Sequence, residues 1–253
     1  MVKSKPKIRL FVDKPLAPGL DLALDAAPAH YLANVMRVQT GDGVLLFNGR
    51  DGEWSCSVGK IAKNRCTVSV DAQTRVQHLE DGPWLAFAPV KKTAVDFIAE
   101  KATELGVSRL CPTFTSRTAV KRINGDRLRA NAIEAAEQSE RLSVPDVMET
   151  VTFADLLSHW PPERPLFVLH GRGGGRPIAA QFLDILSEPE RLQTLPPGFL
   201  IGPEGGLSPS ELDLAAKLPF VSTLAMGSRV LRCETAALAA LACWQAIAGD
   251  WHE

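Results

Sequence analysis

The stretch "FLIGPEGGLSPSEL", residues 199–212, joins an apolar run, a sharp turn and a helix start in one short segment. Phe199, Leu200 and Ile201 read as a buried strand. Ser208 stands where an N-cap belongs, with Pro209 at the first helical position and Glu211 placed to close a capping box. Between strand and helix lie Gly202, Pro203, Glu204, Gly205 and Gly206, a backbone that can pass very close to something. Strand, tight turn and helix together are the unit from which α/β folds are built.

The same unit recurs along the chain. "WLAFAPV" (84–90), "SRLCPTF" (108–114), "PLFVLH" (165–170), "GFLIG" (198–202) and "STLAMG" (222–227) read as strands. Helical patterns fall between them at 93–105, 126–142, 177–187, 208–218 and 234–248, with Gly106 and Gly249 where C-terminal glycines belong. This alternation predicts an α/β domain with a mostly parallel sheet and helices on both faces.

Before residue 80 the texture differs. "IRLFV" (8–12), "GVLLFNG" (43–49), "EWSCSVGKI" (53–61) and "RCTVSV" (65–70) are short β-like runs separated by turn residues. One helical segment, 25–38, interrupts them, and the set predicts a small β-barrel. The polar "QHLEDGP" (77–83) marks the boundary. The expectation is a barrel over 1–76 and an α/β domain over 77–253.

Composition sets wider bounds. The 253 residues carry 28 Lys and Arg against 29 Asp and Glu, so net charge alone points to neither nucleic acid nor membrane. Five cysteines without CxxC spacing read as reduced thiols, with no disulfide frame and no metal site. No run approaches the ~20 apolar residues of a membrane span, and "MVKSKPKIRLFV" does not read as a signal peptide. The expected location is cytoplasmic.

In a parallel sheet, ligands bind beyond the carboxyl ends of the strands. Three loops fall there: "LHGRGGGR" (169–176), "IGPEGG" (201–206) and "MGSRVLRCETAA" (226–237). Arg176 breaks a GxGxxG match, and no GxxxxGK[ST] exists. Ordinary turns remain the competing reading for any one loop. A hydrolase using the glycines for phosphate lacks a P-loop lysine or a metal cluster.

"KATELGV" (101–107), "EAAEQSERLSVPDV" (134–147), "LIGPEGGLSPSEL" (200–212) and "MGSRVLRCETAAL" (226–238) resemble the RsmE family of SPOUT methyltransferases. "RLFV" (9–12) and "HYLANVMRVQTGD" (30–42) are similar to that family's opening domain. The chain departs at Cys233, where the family usually has threonine, and in the 171–175 loop. The resemblance implies an S-adenosylmethionine-dependent enzyme that methylates N3 of a uridine in small-subunit ribosomal RNA near the decoding centre. It also implies a PUA-like N-terminal barrel, a C-terminal trefoil knot and a homodimer. A catalytically silent RNA-binding protein is the alternative.

On this resemblance the cofactor is cradled by two segments. One is the turn of Ile201, Gly202, Pro203, Glu204, Gly205 and Gly206. The other is the loop of Met226, Gly227, Val230, Leu231 and Arg232, with Leu224 helping to form an apolar slot. Leu169, His170 and Gly171 complete the wall. Uridine N3 must lose a proton, which calls for a base or for cations that stabilise an imide anion. Arg232 is the candidate cation and Glu204 the candidate carboxylate, although Glu204 can equally serve to shape the turn. Lys5, Lys7, Arg9, Lys91, Lys92, Arg117, Arg141 and Arg229 are candidate RNA contacts, with the assembled small subunit as an alternative partner. With one Tyr and five Trp, a single flipped uridine suits the chain better than an extended stacking platform. The alanine-rich 234–248 helix, apolar around much of its circumference, is the expected dimer element, with a central helix buried wholly within one subunit as the rival reading.

Overall fold

A computed structural model describes residues 8–62, 65–78, 80–171, 174–187 and 195–252, without the side chains of Leu186 and His252. The described chain divides into two compact units. The first runs to Glu80 and takes in Ala136–Val144; the second comprises Asp81–Ala135 and the chain from Pro145 onward.

The first unit holds a five-stranded sheet of β1 (Arg9–Phe11), β2 (Asp21–Ala23), β3 (Gly43–Phe47), β4 (Glu53–Ala62) and β5 (Arg65–Arg75), in the order β1-β3-β4-β5-β2. Only β1 pairs in parallel, with β3; the other pairs are antiparallel. Val44, Leu46, Cys56, Val58, Cys66, Val68 and Val70 alternate inward and share one core with Leu32. The helix expected over 25–38 is shorter and of two kinds. α1 (Ala26–His30) passes directly into a π-helical turn, Tyr31–Val35, and Arg37 then adopts a left-handed φ of 54°.

Residues 136–144 are tied into this unit by side chains expected to meet RNA. Arg9 Nε donates to Glu53 Oε2 at 2.6 Å, and the two side chains are only 6% and 4% exposed. Its Nη1 donates to the Ala136 carbonyl at 2.7 Å, its Nη2 donates to that of Arg141, and the guanidinium lies 3.7 Å from the Phe47 ring centroid. Arg141 is itself buried and donates to Glu80 Oε2 at 3.1 Å. Neither is a surface cation, so the RNA-contact expectation for Arg9 and Arg141 is corrected. The last carbonyls of a helix lack internal partners, and Arg9 supplies donors where α3 (Gly125–Gln138) runs out. That helix stops short of the expected residue 142, and Glu140 takes a left-handed φ of 59°. Glycine usually marks such a stop, which is why the pattern overran it.

The second unit is built on an eight-stranded sheet whose pairings are all parallel. Its strands are β6 (Trp84–Phe87), β7 (Arg109–Phe114), β8 (Asp146–Val147), β9 (Val151–Thr152), β10 (Leu166–Leu169), β11 (Arg176–Pro177), β12 (Gly198–Ile201) and β13 (Val221–Ala225). The order is β11-β13-β10-β12-β6-β7-β8, with β9 also paired to β7. The helices are α2 (Lys92–Glu104), α3 up to Ala135, α4 (Phe153–Ser158), α5 (Ile178–Ser187), α6 (Pro209–Ala216) and α7 (Cys233–Ala248). The two-residue strands and α4 are too short to carry a readable period, and the sequence did not announce them.

Successive strand residues point to opposite faces, and both faces are covered. Ala86, Leu166, Val168 and Leu200 pack with Phe153, Leu157 and Trp160 from α4 and its end, and with Ala215 of α6. On the other face Phe167 and Phe199 meet Phe182 of α5, with centroids 5.6 and 6.1 Å apart, and Phe182 meets Trp244 of α7 edge-on at 5.5 Å. Contacts of this kind add roughly 0.5–1.5 kcal/mol each beyond the area they bury. The ends of β10, β12 and β13 are therefore held on a rigid platform.

Candidate functional site

β13, β10 and β12 are consecutive neighbours in the sheet, so the three glycine-bearing loops leave it side by side. In the middle loop the Gly206 amide donates to the Pro203 carbonyl at 2.8 Å, closing a four-residue turn with Glu204 and Gly205 at its corners. Gly206 has φ +69°, a conformation that costs other residues energy. The capping box is formed as expected: Ser208 N donates to Glu211 Oε2 at 2.8 Å, while the Ser208 hydroxyl accepts from Glu211 N. Glu211 also accepts from the Ser116 amide at 2.7 Å and hydroxyl at 2.9 Å. Burial pushes the Glu211 carboxyl up, but the hydrogen bonds from Ser208 and Ser116 outweigh it and leave the pKa below its ordinary value.

A second tie comes from α7. Cys233 Sγ donates to the Gly202 carbonyl at 3.1 Å. Burial, reinforced by the charges of Glu204 and Glu234, pushes the Cys233 thiol up to about 11. The thiol is therefore protonated near neutrality and able to donate, as the hydroxyl of a threonine would.

Around these loops opens a cleft of about 700 Å³, a size that suits a small organic ligand. All of the expected cofactor residues line it except Leu224, which is fully buried within β13. Leu207, Pro209, Leu212, Cys233 and Ala236 also line it. Pro209 and Leu212 were readable, since α6 starts beside the turn. Ala236 faces the cleft only because it lies one helical turn after Arg232.

The polar lining is unequal in charge. Among the described residues, Arg117, Arg229 and Arg232 line the cleft with a single carboxylate, Glu204. Arg229, Arg232 and Glu204 are exposed and form no ion pair with the described residues. Arg232 is the N-cap of α7, and its side chain makes no capping bond. Arginine is a poor choice there, since the first turn presents unsatisfied N–H groups and a positive dipole end. Side chains that break a local rule concentrate at functional or strained sites. Val230, between the two free arginines, is 75% exposed.

The remaining candidates are dispersed. Lys5 and Lys7 lie outside the described residues. Lys91 and Lys92 are exposed at the start of α2 and do not line the cleft. Among the described residues no cluster of His, Cys, Asp and Glu has the makings of a metal site, and no helix is long and apolar enough to cross a membrane. A walled cleft with spare guanidinium groups can bind a small ligand and stabilise negative charge developing beside it.

Residues 82–245 match the RNA methyltransferase domain family, and residues 24–71 match the RNA methyltransferase PUA domain. Ribosomal RNA small subunit methyltransferase E of Rickettsia conorii is 31% identical over 236 residues, 92% of this chain and 93% of its own. The protein of that name from Bacillus subtilis is 30% identical over 223 residues, 84% of each chain. The crystal structure of a ribosomal RNA small subunit methyltransferase E from Neisseria gonorrhoeae, bound to S-adenosyl methionine, aligns with a TM-score of 0.85 at 26% identity. It covers 96% of this chain and 99% of that one.

Proposed function

The chain belongs to the ribosomal RNA small subunit methyltransferase E family, and on that premise we propose that it methylates N3 of a uridine in small-subunit ribosomal RNA near the decoding centre. It is an RNA methyltransferase, and S-adenosylmethionine is its cofactor. The cleft's own features fit that group. Leu169, Ile201, Met226 and Leu231 offer apolar walls for an adenine ring and a methionine chain. The space a side chain would take at Gly171, Gly206 and Gly227 is open, and the amides of Glu204 and Gly205 donate to no described residue.

When bound, the cofactor supplies an electrophilic methyl group. The chain's residues place the uridine and manage its proton. Arg232 stabilises the imide charge through O2 or O4, in a site preorganised for it. Glu204, the one carboxylate among the described residues lining the cleft, is the proposed acceptor of the N3 proton. Arg229, exposed on the same loop, is the proposed contact for the target's phosphate, with Lys91 and Lys92 as further contacts. The observation that carries this reading is the unpaired arginine at the α7 N-cap, beside a cleft built from three strand ends.

The finer features of the family join the proposal. The chain passes from β12 beyond β10 to reach β13, and a C-terminal trefoil knot is part of the proposal. The first unit acts as the PUA-like barrel that holds RNA, and the active form is a cytoplasmic homodimer. An active monomer in sedimentation at assay concentration would sink the dimer. The central test is transfer of labelled methyl from S-adenosylmethionine to unmodified small-subunit RNA or particles, with 3-methyluridine identified by mass spectrometry. Arg232→Ala is expected to slow single-turnover transfer about 10²–10³-fold at saturating substrates. If that variant loses only RNA affinity, Arg232 is a phosphate contact. If the folded protein binds no S-adenosylmethionine in calorimetry, the reading fails.

A further inference from the structure

We infer that Arg117 is a positioning residue for the cofactor, holding the Pro203–Gly206 turn in its binding shape from the loop that follows β7; this rests on the proposal that S-adenosylmethionine occupies the cleft. The loop is itself well defined. The Thr118 amide donates to the Thr115 carbonyl at 3.1 Å, and the Thr115 amide donates to the Thr118 hydroxyl at 2.9 Å. From this base Arg117 Nη1 donates to the Gly205 carbonyl at 2.8 Å and to the Leu207 carbonyl at 3.3 Å.

One residue earlier in the chain, Ser116 supplies two donors to Glu211, which also accepts from the Ser208 amide. The Leu207–Ser208 peptide is thus held at both ends, its carbonyl by Arg117 and its amide by Glu211. Adjacent residues 116 and 117 close the ring of hydrogen bonds. The Gly205–Gly206 peptide is held in the same way, its carbonyl by Arg117 and its amide by the Pro203 carbonyl. Among the described residues, the amides of Glu204 and Gly205, next to the pinned peptides, donate to no partner.

Two more observations agree. No carboxylate pairs with Arg117 among the described residues, so its hydrogen bonds go to turn carbonyls. A Cβ on Gly205 would lie 3.4 Å from Arg117 Cβ and 3.5 Å from its Cδ, at ordinary contact distance, so the arginine stem lies directly along the turn. Charge-assisted bonds from a guanidinium to carbonyls are among the stronger neutral-acceptor contacts, and a turn released from them samples other shapes.

The test compares wild type with Arg117→Ala and Arg117→Lys by calorimetry with S-adenosylmethionine. Amide exchange over residues 203–208 in the free protein and RNA binding are measured in parallel. Arg117→Ala is expected to raise the cofactor Kd about tenfold and to speed exchange in the turn, with RNA affinity largely kept. Arg117→Lys should fall between, because its side chain is one atom shorter than the reach to Nη1 and its flexible ammonium is less preorganised to hold both carbonyls. Should Arg117→Ala fail to fold, Arg117→Lys and Ser116→Ala carry the same comparison. Unchanged cofactor affinity with unchanged exchange overturns the inference, and so does a loss confined to RNA affinity. If wild type binds no cofactor, the functional reading falls separately, and exchange still decides whether Arg117 holds the turn.

Discussion

A guanidinium is defined by what surrounds it, and this chain uses arginine in three ways. Arg9 is internal, stacked on Phe47 and bonded to Glu53 and to helix-end carbonyls. Arg117 ties down a turn, and Arg232 stands unpaired at a helix start. Removing one partner of a buried pair leaves the other charged and uncompensated. Glu53→Ala is therefore expected to cost about 3–5 kcal/mol of stability in denaturant unfolding, and Arg9→Ala toward the low end of that range because Glu53 keeps Arg75 at 3.6 Å. A variant that folds should show RNA binding with the salt dependence of wild type. An Arg9→Ala protein of unchanged stability with a flattened salt slope would return Arg9 to the RNA surface.

At the scale of the element, α6 shows how a local signal acquires a long-range purpose. Its capping box lies wholly within residues 208–211 and is legible without a structure. The same Glu211 also receives Ser116, 95 positions away in the chain. Glu211→Ala should cost roughly 1–2 kcal/mol, from a lost cap and a lost loop contact. Its folded pKa lies below the ordinary 4.5, so the carboxylate's contribution is present above that value and is lost as pH falls through the folded pKa. The stability gap between wild type and variant should narrow below pH 4.5 in thermal unfolding. A gap that is constant from neutral pH into acid would mean that the charge on Glu211 contributes nothing.

For the molecule as a whole, the five cysteines are free thiols. Burial pushes Cys56 and Cys111 up to about 12 and Cys233 up to about 11, from an ordinary 9.0. A raised folded pKa means that the protonated thiol's contribution is complete below 9.0 and is lost as pH rises toward the folded value. Each buried thiol then weakens folding by up to ~1.4 kcal/mol per pH unit in that window. Denaturation midpoints should fall steadily above pH 9.0. Iodoacetamide at pH 8.5 (about half a unit below the ordinary thiol value) should label these three thiols far faster in urea than in the native protein. Equal labelling in both states would show that the thiols are accessible.

Local chemistry determined a good deal by itself. Periodicity placed the main strands and helices, the 208–211 cap was explicit, and the glycine-bearing loops fell at strand ends because that is where a parallel sheet puts them. What sequence order could not supply was neighbourhood. That β10 lies between β12 and β13 decides that three loops share one cleft, and that order is set by non-local pairing. Non-local contact also decided the fate of charges: Arg9 meets a carbonyl 127 positions away, and Arg117 meets one 88 positions away. A lysine or arginine run looks the same in sequence whether it faces water or a helix end, because desolvation and pairing are properties of the folded surroundings.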